Sequence, residues 1–171
     1  MGHGLHMKAH RKGQDRIIKA LLLFSFFIRL AGGAGAADLR PFSSDGCSLF
    51  PDGTIEDRAR WCDCCFVHDI AYWQGGTAAD REKADDALRD CVLARTGDKV
   101  LAESMRLGVR AGGHPVSVMW YRWGYGWELG RGYKPLTDAE KLKAEALLSE
   151  YRKNRPSGYC GATTAKSTAA V

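Results

Sequence analysis

Six cysteines constrain this chain more than any other feature: Cys47, Cys62, Cys64, Cys65, Cys91 and Cys160. Three of them crowd into the stretch 62–65. An even number of thiols in a small exported chain reads first as three disulfides, each worth roughly 2–4 kcal/mol. The N-terminus has the layout of an export signal. A basic region (Lys8, Arg11, Lys12, Arg16, Lys19) precedes an apolar run from Ala20 to Ile28 and the small-residue string 31–37. Basic, apolar, then small residues predict a signal peptide over 1–37, and with it a secreted or periplasmic protein. The apolar run is short of the roughly 20 residues that span a bilayer. One domain over 38–156 and a mobile tail over 157–171 follow, with Cys160 tying the tail down. The competing use of the thiols, a zinc site from Cys62, Cys64, Cys65 and His68, does not match the usual paired C-x-x-C spacing.

Removing the leader changes the charge balance. The chain holds 25 Lys+Arg and 20 Asp+Glu. Residues 1–37 hold six of the bases and one of the acids, so 19 of each sign remain. The mature chain is formally neutral, and nucleic acid is not an expected partner. The neutrality hides an asymmetry: 13 acids and seven bases from Asp38 to Asp98, then six acids and 12 bases. An acidic first half suits a bound cation, and a basic second half suits an anionic surface.

Turn and cap signals divide the domain into helices. Ser43-Ser44-Asp45-Gly46 and Pro51-Asp52-Gly53 mark a loop. Thr54, with Asp57 three residues on, predicts a helix running to about Trp73 and stopping at Gly75-Gly76. Thr77 and Asp80 predict a second helix that ends near Thr96-Gly97. A third covers about 99–110, and a fourth begins at Thr137, where Glu140 completes a capping box, and ends before Pro156. Two helices joined by a Gly-Gly turn form an antiparallel hairpin, so the expected fold is mainly α, a small disulfide-stapled domain built on that hairpin.

Register in such a hairpin follows from distance to the turn. His68 and Asp85 are equidistant from it, and Asp85 shares a stripe with Leu88 and Val92 that must face the core. Asp86 shares the solvated stripe with Glu82, Arg89 and Asp90, so Asp85 is the acid expected to meet His68. The same register sets Cys91 level with Cys62 or Cys64. A carboxylate on one imidazole nitrogen leaves the other as a base. Asp69 faces the acidic loop, where Asp45, Gly46 and Ser48 offer oxygens of the kind a hard cation takes.

Between Met119 and Tyr133 the chain packs Trp120, Tyr121, Trp123, Tyr125 and Trp127 together. Such rings serve either as core or as anchors at a lipid–water interface, for which Trp120, Trp123 and Trp127 are the candidates.

The segment C-C-F-V-H-D-I-A-Y, Cys64 to Tyr72, resembles the catalytic helix of secreted phospholipase A2, C-C-x-x-H-D-x-x-Y. In that family the orienting aspartate lies six residues before a half-cystine on the partner helix, a spacing that Asp85 and Cys91 reproduce. The likeness spans about Asp45 to Cys91 and is nearest to the sparsely bridged microbial members. It implies a phospholipase A2-like fold and bridges Cys64–Cys91 and Cys47–Cys65, which leaves Cys62–Cys160. It implies calcium-dependent hydrolysis of the sn-2 ester of glycerophospholipids, with catalytic residues His68, Asp85 and Tyr72. Calcium would be held by Asp69 with Asp45, Gly46 and Ser48, and a monomer would act on a phospholipid membrane or micelle surface. The family's glycine-rich calcium loop is absent; D-G-C-S-L-F-P-D-G, Asp45 to Gly53, stands in its place. That departure supports an alternative, a catalytically silent module that binds lipid or protein.

Overall fold

Four helices carry the described residues: α1 Cys62–Gln74, α2 Ala78–Thr96, α3 Lys99–Gly112 and α4 Asp138–Asn154. The computed structural model describes residues 38–154 and Cys160, and no strand occurs among them. The expected leader, 1–37, and the tail apart from Cys160 lie outside the described residues.

The cap signals explain where α2 and α4 begin. Thr77 Oγ1 accepts from the Asp80 N–H (3.2 Å) while Asp80 Oδ2 accepts from the Thr77 N–H (2.9 Å). Thr137 and Glu140 repeat the reciprocal pair at α4. Asp98 caps α3 by accepting from the Val100 and Leu101 N–H groups. The Thr54–Asp57 signal makes a turn instead of a helix. The Asp57 N–H donates to Thr54 Oγ1, and the Thr54 N–H donates to the Asp57 carbonyl. These groups satisfy each other locally, and the Trp61 N–H then closes the loop onto the Asp52 carbonyl. α1 therefore starts at Cys62, seven residues later than the cap signal suggests.

Three disulfides leave the first turn of α1: Cys47–Cys65, Cys62–Cys160 and Cys64–Cys91. The Cys64–Cys91 bridge and the His68–Asp85 contact lock α1 and α2 antiparallel across Gly75 and Gly76, whose φ values of 68° and 145° admit glycine alone at low cost.

Eight of the 13 residues of α1 are buried, because the helix has a core on each side. One core joins Cys64 and Cys65 to Leu88, Val92, Ala102 and Met105 of α2 and α3. The other joins Phe66 and Trp73 to Leu39, Phe42, Trp127 and α4.

The aromatic segment caps α1. The last four carbonyls of a helix lack intrahelical partners. Here the Ala71 carbonyl accepts from Gly75 N–H, Tyr72 from Gly124 N–H, Trp73 from Gly126 N–H and Gln74 from the Trp127 indole. Trp123 and Trp127 are 1% and 0% exposed. They are core residues and do not belong to a lipid-facing surface, which corrects that expectation for both. Trp120, 58% exposed, stays on the surface. No helix among the described residues is long and apolar enough to cross a membrane.

Candidate active site

The dyad sits where α1, α2 and α3 meet. His68 Nε2 lies 3.2 Å from Asp85 Oδ1, and Asp85 is 0% exposed. A carboxylate can only accept, so Nε2 carries the proton and Nδ1 keeps its lone pair. Burial holds the imidazole below its usual titration range, against the opposing pull of Asp85. The ring stays neutral at neutral pH, as a base must. Asp86 points away and pairs with Arg89 and Arg106.

Asp85 is held by more than histidine. The Tyr72 hydroxyl donates to the same Oδ1 at 2.7 Å. Arg110 Nε lies 2.7 Å from Oδ2, an ion pair whose hydrogen-bond angle is poor. Arg81, buried beneath, donates from Nε to the Tyr72 hydroxyl (3.1 Å), from Nη1 to the Tyr133 hydroxyl (2.9 Å), and from Nη2 to the Val109 and Arg110 carbonyls. One guanidinium therefore ties α1, α2, the end of α3 and the loop at Tyr133 together. Gly113 lets α3 approach, since a Cβ there would lie 2.4 Å from Tyr72 Cε1.

Arg81 and Arg110 were missed in the sequence. Arg81 had a readable signal: positions 81, 85, 88 and 92 form one core stripe, so a charged residue at 81 must face the interior. Arg110 had none, because its contact depends on how α3 crosses α2.

Asp69 is buried, and Ser44 Oγ donates to its Oδ2 at 2.6 Å. Burial pushes its carboxyl up to about 8; the Ser44 bond opposes this, and the charges of Asp45 and Asp52 add to it. No basic side chain forms an ion pair with it among the described residues. A buried carboxylate beside further acids, with hydroxyls nearby, is a donor set that suits a hard cation. The other residues expected to join it are placed unevenly. Ser48 lines the same two clefts as Asp69, but the Gly46 carbonyl accepts from the Ser48 N–H (3.1 Å). The Asp45 carboxylate accepts from Ser48 Oγ (2.6 Å) and the Trp120 indole (3.2 Å). No group of three His, Cys, Asp or Glu side chains converges among the described residues.

Two clefts meet at this carboxylate. One, about 220 Å3, is mainly apolar and holds His68, Leu49, Phe50, Leu88, Met105 and Gly108. The other, about 560 Å3, carries Arg40, Ser43, Asp45, Trp120, Tyr125 and Leu129. Ser48, Asp69 and Tyr121 line both. The arrangement offers a neutral base on an apolar wall next to a larger chamber of mixed lining, with a carboxylate at the junction.

Compared with known protein families, curated proteins and solved structures, the chain matches none.

Proposed function

We propose that this chain is a phospholipase A2-like hydrolase that acts outside the cytoplasm and cleaves the sn-2 ester of glycerophospholipids with a histidine–aspartate dyad and an activated water. One observation carries this reading: His68, held by Asp85, lines an apolar cleft that joins at Asp69 a second cleft carrying Arg40, Ser43, Ser44 and Asp45. An amphiphile fits such a pair, with its acyl chain against Leu49, Phe50, Leu88 and Met105 and its head group beside Arg40 and the hydroxyls of Ser43 and Ser44. The three disulfides support an oxidising compartment.

In this mechanism His68 Nδ1 accepts the proton of a water that attacks the ester carbonyl. Asp85 stabilises the imidazolium that results, and Tyr72 and Arg110 keep Asp85 in place. The imidazolium then returns its proton to the departing glycerol oxygen. General-base catalysis of this kind is worth about 10²–10⁴-fold. Asp69, with Asp45, Ser48 and the Gly46 carbonyl, would hold calcium, which when bound supplies positive charge for the phosphate and the developing oxyanion.

Fatty-acid release from mixed phospholipid vesicles by the oxidised protein, with calcium and then with a chelator, tests the reading. Release that needs calcium and is lost in His68→Gln, with an unchanged melting curve, is the expected result. Unchanged release from His68→Gln would remove the dyad from the mechanism, and chelator-resistant release would remove the metal.

A second reading, lipid binding without turnover, rests on the Asp45 carboxylate, which is engaged by Ser48 and Trp120 instead of turning toward Asp69. Saturable vesicle binding with no release from any lipid would favour it.

A further inference from the structure

We propose that Gly108 sets the length of acyl chain that the apolar cleft accepts. The proposal rests on the lipid-hydrolase reading for its substrate, and on the geometry of α3 for its residue.

Glycine is among the poorest residues for a helix interior, and its presence there usually has a local cause. Gly108 lies four residues inside the end of α3. It is not among the glycines with positive φ, so the backbone does not demand it. Packing does not demand it either: a Cβ at Gly108 would meet no protein atom within 4 Å, whereas one at Gly113 would strike Tyr72. What glycine does at 108 is leave room in the cleft it lines together with His68.

The position in the cleft is informative. Ser104, Gly108 and Gly112 are four residues apart, lie on one face of α3 and all line the cleft. That face extends about 12 Å along the helix. Its inner end is beside the dyad, because Gly113 abuts Tyr72 and Arg110 reaches Asp85. Gly108 is one turn farther out. Leu49 and Phe50 of the loop after Cys47 also line the cleft, as do Leu88 and Met105. An apolar passage along this face of α3, lined also by His68 and about 220 Å3 in volume, fits a single alkyl chain. The second ring nitrogen of His68 has no hydrogen-bond partner among the described residues, although the side chain is only 7% exposed. A side chain at 108 would project into the passage partway along, leaving space for a short chain between it and His68 and closing the path to a long one.

The test uses the full oxidised chain with Gly108→Ala and Gly108→Leu. Hydrolysis of dihexanoyl and dipalmitoyl glycerophospholipids is measured, and palmitate binding is followed separately by calorimetry. The melting temperature of Gly108→Ala should equal or exceed that of the parent, since the added methyl meets nothing and favours the helix. A clear fall would mean that the space is not open, and would overturn the proposal. For Gly108→Leu the palmitoyl-to-hexanoyl ratio of kcat/KM should fall about ten- to hundredfold, the range that even one methylene commands in an apolar pocket. Palmitate affinity should fall with it, and Gly108→Ala should lie between the two. An unchanged ratio and unchanged palmitate affinity would overturn the gauge even if the enzyme is active. If no lipid is hydrolysed but palmitate binding is lost in Gly108→Leu, the hydrolase reading fails and the gauge stands.

Discussion

Arg81 Nε lies 3.1 Å from the Tyr72 hydroxyl, and this contact decides where the phenol proton goes. A guanidinium only donates, so the hydroxyl accepts from Arg81 and gives its own proton to Asp85 Oδ1, 2.7 Å away. The Val109 carbonyl, at 3.3 Å, is the poorer alternative. Burial also raises the Tyr72 phenol above its usual range, so it remains a donor at any working pH. Asp85 therefore receives a fixed set of bonds, and His68 has one orientation to take.

Replacing Arg81 by Gln should lower stability by roughly 2–3 kcal/mol, since a buried charged donor to several oxygens is lost. It should also lower kcat about tenfold with KM nearly unchanged, the pattern of lost transition-state support. Denaturant melts and steady-state kinetics on phospholipid vesicles separate the two effects. A fall in stability with no change in kcat would make Arg81 a purely structural tie.

Much of this was legible in the residues themselves, and the reason differs from place to place. Asp85 could be told from Asp86 because core and solvent alternate along α2, and the stripe through Leu88 and Val92 shows which side is which. The starts of α2 and α4 were legible because capping boxes are local chemistry. The start of α1 was not, because Thr54 and Asp57 satisfy an isolated turn as readily as a helix. The aromatic segment failed for a different reason. Trp123 and Trp127 bind the end of α1 about fifty residues earlier, and no window of sequence contains both partners.

The burial of those tryptophans makes them separable from Trp120 by experiment. Trp127→Ala should cost about 3–5 kcal/mol through cavity formation, with the Gln74 carbonyl losing its donor as well. Trp120→Ala should change stability by no more than about 0.5 kcal/mol, as is usual for surface positions, and should weaken vesicle binding. Thermal melts and vesicle co-sedimentation check both. Full vesicle binding by Trp120→Ala would remove the exposed indole from any lipid contact.

Glu140 gives the fold a pH signature. Its carboxyl is pulled from 4.5 down to about 2, chiefly by the Arg131 side chain and in part by Thr137, with burial opposing. Arg131 forms the bidentate partner and stacks its guanidinium 3.9 Å from the Trp127 ring. A carboxyl whose titration is depressed on folding stabilises the fold above its unfolded value and loses that contribution as pH falls through its folded value. Glu140→Gln should therefore melt below the parent at neutral pH. The gap should narrow from about pH 4.5 downward and vanish near pH 2. A gap that stays constant across that range would mean that lost hydrogen-bond geometry, and not charge, explains the difference.

The capping of α1 by the segment around Trp123–Trp127 bears on how far the molecule can be reduced. Among the described residues, Tyr72 and Arg110, the side chains that bond to or pair with Asp85 besides His68, precede Gly113, while Trp123 packs on the Tyr72 ring and the Tyr133 hydroxyl accepts from Arg81. A fragment ending there would retain the chemical groups but lose the partners of three carbonyls at the end of α1 and uncover Trp73. The dyad and the side chains bonded to it are thus local in sequence, while their rigidity is supplied from a distance. A minimal version has to keep the chain through Trp127, and any graft of the α1–α2 hairpin into another scaffold must bring its own lid for the helix end.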